Sequence, residues 1–249
     1  HIPEMNYHLV ETGGTGGMLR HLVALLLPHY DIVLIGRHEA ALNAMVSDMD
    51  NSGRLKVAQL DLVREAGCLE NRLDSLFPHQ SFWGIIHGAS LPVMQQPLLE
   101  IESFRLNEEW IMASTAPIRL AKWLKARCGP QGGRMLMIGS DSVKLQPQLH
   151  SFPRHPLYAL GKRFLRETVR VLAQELAERK ITVNIVHPGP IPQGMNAGMS
   201  PATIRMMEAE NPMKRLCKTS DLLASVLFFL DEPSGYVSGQ EIYLNGGRF

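Results

Sequence analysis

Tyr158 and Lys162 stand four residues apart in the run Leu157-Tyr158-Ala159-Leu160-Gly161-Lys162. On a helix that spacing puts both side chains on one face, one turn apart. A phenol beside an ammonium can act as a proton donor, because the cation favours the phenolate. Free tyrosine has a pKa of about 10, and lowering it by about 2–3 pH units requires about 3–4 kcal/mol of differential stabilisation. Lys162 is expected to supply part of that, and a bound cationic cofactor ring more. Ser140 ends the apolar run Gly133-Arg134-Met135-Leu136-Met137-Ile138-Gly139. In a parallel sheet ligands sit at the carboxyl ends of strands, so its hydroxyl falls where a substrate would be.

These groups need elements to hold them, and the sequence supplies an alternating set. Strand patterns begin near Tyr7, Asp31, Leu55, Phe82, Arg134, Ile181 and Glu241, with helical patterns at about 17–28, 39–49, 66–77, 101–127, 157–179 and 220–230. Continuous apolar strands separated by helices imply an α/β fold, with a doubly wound sheet of about seven parallel strands and helices on both faces. Near the start, His8-Leu9-Val10-Glu11 reads as a buried strand. It leads through Thr12-Gly13-Gly14-Thr15-Gly16-Gly17-Met18 into the apolar helix pattern Leu22-Val23-Ala24-Leu25-Leu26-Leu27. Strand, glycine turn and helix together present backbone N–H groups and a helix N-terminus to a pyrophosphate.

Composition narrows the function classes. The 249 residues carry 25 Lys+Arg against 24 Asp+Glu, a net charge of +1, so neither nucleic acid nor an anionic membrane is implied as a partner. Three widely spaced cysteines, Cys68, Cys128 and Cys217, argue against a disulfide framework or a metal site and for a reducing, cytoplasmic home. The longest apolar run, Leu222 to Leu230, is too short to span a bilayer. Residues 1–4 ahead of Met5 read as an added remnant, leaving 5–249 as a single domain.

Taken together, the motifs resemble the short-chain dehydrogenase/reductase family, from about His8 to Gly247, and within it the 3-oxoacyl-carrier-protein reductases and polyketide ketoreductases. The resemblance implies a Rossmann-type fold in which Thr12, Gly13, Thr15, Gly17 and Met18 hold the dinucleotide phosphates. Asp61 and Leu62 follow the third strand, at the adenine. Gly88-Ala89 match part of the Asn-Asn-Ala-Gly motif after the fourth strand, and Pro188-Gly189 follow the sixth. Ser140, Tyr158 and Lys162 match the catalytic Ser-Tyr-Lys, with Lys162 also holding the nicotinamide ribose. The tail from Ser238 to Gly247 matches the last strand and closing loop. Residues 190–216 correspond to the substrate lid; Met195, Met199, Met206, Met207 and Met213 there suit either an adaptable apolar surface or core filling. A second long loop, 144–156, precedes Tyr158.

Several positions depart from the family pattern. Leu19 replaces the third glycine and is expected to push the first helix away from the sheet or to tilt the turn. Ala113 stands at the Asn of the catalytic tetrad, which is thought to hold a water in the proton relay to Lys. His87 replaces an Asn, and Gln193 stands roughly where a Thr often meets the nicotinamide amide. Glu11 is an acid where an apolar residue is usual; burying it unpaired is costly, so it is expected to be paired or to face water. Arg37 ends the second strand where an acid would favour NAD(H), so NADP(H) is the expected cofactor.

The activity implied is hydride transfer between NADPH and a ketone, with Tyr158 as general acid. The substrate is a small carbonyl or alcohol, or a β-ketoacyl thioester, which could be carried by a carrier protein. Arg127 and Arg179 fit either a carrier-protein contact or ordinary charge pairing at helix C-termini. A homo-oligomer, dimer or tetramer, is expected through the helices at 101–127 and 157–179. The alternative, favoured by Glu11, Leu19 and Ala113, is a cofactor-binding protein with weak or lost catalysis that serves as a sensor or partner subunit.

Overall fold

The computed structural model describes residues 8–49, 53–144 and 155–248. Residues 1–4 and most of the 144–156 loop therefore lie outside the described residues. The strands are β1 His8–Thr12, β2 Asp31–Gly36, β3 Leu55–Gln59, β4 Gly84–His87, β5 Gly133–Ile138, β6 Ile181–Pro188 and β7 Glu241–Leu244. The helices are α1 Gly17–Leu26, α2 Glu39–Met49, α3 Leu69–Leu76, α4 Ser103–Trp110, α5 Ala116–Arg127, α6 Pro156–Glu175, α7 Pro201–Glu210 and α8 Thr219–Leu230. All strand pairs are parallel, in the order β3-β2-β1-β4-β5-β6-β7. The order reverses between β1 and β4, which opens a crevice at the carboxyl ends of the central strands.

Strand periodicity divides the core in two. Val10, Val33, Ile35, Ile85, Met135, Met137, Val183 and Ile185 face one side, where Leu69 and Leu73 of α3, Leu120 and Leu124 of α5, and Leu165 and Val169 of α6 cover them. Their neighbours Leu9, Ile32, Leu34, Ile86, Leu136, Ile138 and Val186 face the other side, under Leu22 and Leu26 of α1, Leu42 and Met45 of α2, and Leu222 and Val226 of α8. Alternate residues thus pack against opposite layers. Each fully buried aliphatic side chain contributes about 1.5–3 kcal/mol relative to exposure.

Two sequence expectations change. The 101–127 pattern does not form one regular helix. Ile111–Thr115 makes a π turn between α4 and α5, in which the Ala116 N–H reaches back to the Ile111 carbonyl. Pro117 gives the reason: it has no N–H for the Ala113 carbonyl, and its ring crowds that position. Residues 190–216 contain a full helix, α7, started by Ser200, whose hydroxyl accepts from the Thr203 N–H at 3.1 Å. No residue of α7 is buried, and Met206 and Met213 are exposed, so these methionines do not fill a core.

Candidate active site

The glycine turn is built by shape. Gly13 has φ +93°, and a Cβ there would come within 2.7 Å of the Ala89 backbone. The Gly16 N–H donates to the Gly13 carbonyl at 3.1 Å, and the first bond of α1 runs from the Arg20 N–H to the Gly16 carbonyl at 2.8 Å. Gly17 packs against the backbone of Gly194, leaving no room for a side chain. A tight turn, a close backbone approach and a helix N-terminus are what a dinucleotide pyrophosphate requires, so the residues present fit that group. Thr15 and Met18 lie on the same turn, half-buried.

Thr12 is buried at the end of β1. Its Oγ1 is 2.9 Å from His87 Nδ1, and His87 Nε2 is 3.2 Å from the Met112 carbonyl. The carbonyl can only accept, which places the ring proton on Nε2 and makes Thr12 the donor to Nδ1. Burial holds the His87 pKa down at about 4, with Lys162 pushing the same way, so the ring is neutral near pH 7. Thr12 Oγ1 also accepts weakly from the Ala89 N–H at 3.4 Å. His87 therefore fastens the end of β1 to β4 and to the π turn.

Leu19 packs into the space beside Gly88. It is buried, and a Cβ on Gly88 would come within 2.5 Å of its Cδ1. The side chain lost at 88 leaves the space that Leu19 fills. Glu11 overturns its expectation. It is fully buried with both carboxylate oxygens unpartnered, close under Gly14. Burial drives its pKa well above the usual carboxylate value and so favours the protonated acid, only partly offset by the nearby Gly14 amide.

The remaining nucleotide positions sit at the strand ends. Arg37 is exposed just after β2, and its carbonyl accepts from Gln59 Nε2 at 3.1 Å. Asp61 turns its Oδ1 onto the N–H groups of Val63 at 2.9 Å and Arg64 at 3.1 Å, and Leu62 is buried. The Gly88 N–H donates to the Thr12 carbonyl at 3.0 Å, and the Gly189 N–H to the Leu244 carbonyl at 2.9 Å, with Pro188 closing β6. Gln193 Oε1 accepts from Thr219 Oγ1 at 3.0 Å.

Across the crevice, Ser140, Tyr158 and Lys162 converge. The Ser140 hydroxyl lies near enough to the Tyr158 phenol to favour its phenolate form. Lys162 Nζ donates to the Ile138 carbonyl at 2.8 Å and lies 5.6 Å from the Tyr158 ring centre. The geometry matches the spacing argument, but the electrostatics do not. The Tyr158 pKa is pushed up to about 12, by burial first; the Ser140 hydroxyl opposes this, and Asp141 and Glu109 add to it. The expected acidification by Lys162 is therefore absent. The lysine is itself held down at about 8 by burial, with Glu109 pulling it up. Its ammonium donates to the Ile138 carbonyl and feels the Glu109 carboxyl.

Sequence reasoning missed two buried polar groups. Glu109, on α4, is 7 % exposed and has a pKa raised to about 7 by burial, with Lys162 opposing. Its signal in the sequence was the glycine at 161, which leaves the space that the carboxyl occupies. His187, fully buried at the end of β6, lies over Gly139, stacks on Tyr243 at 4.6 Å and is 3.2 Å from Glu241. Its Nδ1 is 3.2 Å from the Ser140 N–H, so it fixes the backbone beside the Ser140 hydroxyl. Arg127 and Arg179 are occupied within the chain: Arg127 Nε donates to Asp74 at 3.0 Å, and Arg179 contacts the Lys125 carbonyl at 3.5 Å, at the C-terminus of α5.

Comparison with known proteins agrees with this geometry. A family model described as Enoyl-(Acyl carrier protein) reductase matches residues 30–248. A short-chain type dehydrogenase/reductase from Picea abies is 35% identical over 47% of this chain and 42% of its own length. An acetoacetyl-CoA reductase from Acinetobacter sp. (strain RA3849) is 33% identical over 37% of each. The chain thus spans less than half the length of these curated relatives in the matched segments. A crystal structure of a dehydrogenase/reductase from Sinorhizobium meliloti 1021 superposes with a TM-score of 0.86, covering 99% of this chain and 96% of that one at 23% identity. A glycine turn on a sheet of this strand order, with a family model running through most of the chain, leads to one conclusion: the chain belongs to the short-chain dehydrogenase/reductase family.

Proposed function

We propose that this protein is an NADPH-dependent carbonyl reductase, working also in reverse as an alcohol dehydrogenase, with Tyr158 as general acid. The observation that carries this reading is the convergence of Ser140, Tyr158 and Lys162 at the carboxyl end of β5, with Lys162 Nζ 2.8 Å from the Ile138 carbonyl and 5.6 Å from the Tyr158 ring centre. A bound nicotinamide dinucleotide would supply the hydride. Thr12, Gly13, Thr15, Gly17, Met18, Asp61, Leu62, Gly88, Ala89, Pro188 and Gly189 form the cleft that would receive it, and exposed Arg37 would meet a ribose phosphate.

Ser140 and Tyr158 both direct O–H groups at a substrate carbonyl. They stabilise the charge that grows on its oxygen, a contribution of a few kcal/mol. Tyr158 then gives up its proton to that oxygen, and its high pKa in this structure makes it a weak acid until further positive charge arrives. The likeness to an acetoacetyl-CoA reductase supports a β-ketoacyl thioester as substrate, with a small ketone as the competing class. Exposed Phe104, Leu106, Trp110 and Phe164 on α4 and α6 support self-association through that face. Three free cysteines support a reducing, cytoplasmic setting. Among the described residues no helix is long and apolar enough to cross a membrane.

The test is a screen of β-keto thioesters and ketones with NADPH and with NADH, run on the parent and on Tyr158→Phe. NADPH-linked turnover confined to the parent supports the proposal. Tight NADPH binding with no turnover on any carbonyl would instead favour a cofactor-binding sensor, the reading that the high Tyr158 pKa and Ala113 support.

A further inference from the structure

Lys162 is a buried ammonium that donates to the Ile138 carbonyl, and among the described residues the acid that acts on it, Glu109, comes from α4. Glu109 packs over residue 161 because it is glycine: a Cβ there would stand 2.6 Å from Glu109 Cδ and 2.8 Å from its Cγ. A small cavity of about 10 Å³ is lined by Ala89, Ser90, Glu109, Ala113, Gly161 and Lys162. That is the scale of a single water molecule. The carboxyl, the ammonium and this space lie beside Ala113, where the π turn widens the helix.

We propose that Glu109 is a positioning residue for Lys162: through the cavity beside Ala113 it sets the lysine's charge and returns protons to it from the α4 side. The step balances simply. The Glu109 carboxyl loses its proton to the cavity, the neutral Lys162 amine gains one, and the pair becomes carboxylate and ammonium. Solvent later returns a proton to Glu109. Only the kinetic consequence rests on the reductase reading; the charge coupling does not.

The surrounding titratable groups leave this pair alone near neutrality. Lys162 acts on His87 from β4 and His187 from β6, and each is held down at about 4, by burial first. Tyr158 from α6 is held up at about 12. Glu109 at about 7 and Lys162 at about 8 titrate between them.

The test follows Lys162 directly, by NMR titration of the full chain labelled with 13Cε-lysine, the signal identified by its loss in Lys162→Arg. The parent signal should titrate near pH 8 with an earlier inflection near pH 7. In Glu109→Gln the earlier inflection should vanish and the midpoint should fall by about one unit. Gly161→Ala should lower the midpoint while keeping the acid, because its methyl displaces the carboxyl. If either variant fails to fold, Glu109→Asp must shift the midpoint by a smaller step in the same direction. An unchanged midpoint in the folded variants overturns the inference. Where turnover is measurable, the high-pH limb of kcat should move down in parallel, about tenfold in rate per unit, with KM unchanged. A shifted lysine without turnover on any carbonyl refutes the reductase reading alone; turnover with an unshifted lysine refutes this inference alone.

Discussion

The two walls of the cleft absorb unusual residues in different ways. On the glycine-turn wall the conflict is one of volume: Leu19 intrudes and Gly88 makes room. On the catalytic wall glycines also make room, Gly139 under His187 and Gly161 under Glu109, but the incomers are ionisable and change the site's charge. A methyl group misplaced on the first wall costs packing alone. On the second wall it moves pKa values. Glu11 is the exception that tests the rule, an acid on the glycine-turn wall whose pKa burial drives up.

The largest expected effect breaks the comparison at its chemical end. Tyr158→Phe should lower carbonyl turnover by a factor on the order of 10²–10⁴ while NADPH affinity, read by fluorescence titration, stays within about twofold. Parent-like turnover would remove Tyr158 from the mechanism. The next sharpens the volume side. Gly88→Ala drives a methyl into Leu19 and should cost about 1–3 kcal/mol in urea unfolding, and adding Leu19→Ala should recover part of it. Strict additivity of the two changes would show that they do not share a space.

Glu11 distinguishes volume from charge on the same wall. Its folded-state pKa is raised, so the native state keeps a proton that the unfolded chain releases above the ordinary value of 4.5. Stability from this site is therefore fully present below pH 4.5 and is lost as pH rises toward the folded value. Glu11→Leu should flatten that decline and stabilise the protein at pH 8 by about 1–3 kcal/mol, since an unpartnered buried polar group disappears. Equal pH slopes for parent and variant would count against the neutral-acid account. The smallest effect lies at the rim: Arg37→Ala should raise the KM for NADPH about tenfold, as expected for losing an exposed charge contact worth about 1.4 kcal/mol, and leave NADH unaffected. A matching loss with NADH would dismiss the phosphate contact.

Much of this was legible in the chain. Apolar strands alternating with helical stretches gave the parallel sheet; the glycine turn and Ser140 follow strands, and Tyr158 and Lys162 share α6 as their spacing implied. The wide turn at Ile111–Thr115 was harder to see, because its cause, Pro117 acting on the carbonyl of Ala113, is visible only once the helix is known to run on both sides. Helix α7 escaped because it buries nothing and so carries no apolar stripe.

What the sequence determined by itself was order and type: periodicity and turn chemistry act over a few residues, and they place each group on its element. What only the tertiary structure decided was charge. Glu109 and Gly161 are 52 positions apart, as are Gly139 and His187 to within a few residues, and no local pattern pairs them. Whether a phenol, an amine or a carboxyl holds its proton depends on burial and on neighbours brought in from other elements, and these exist only after the sheet and its helices have closed.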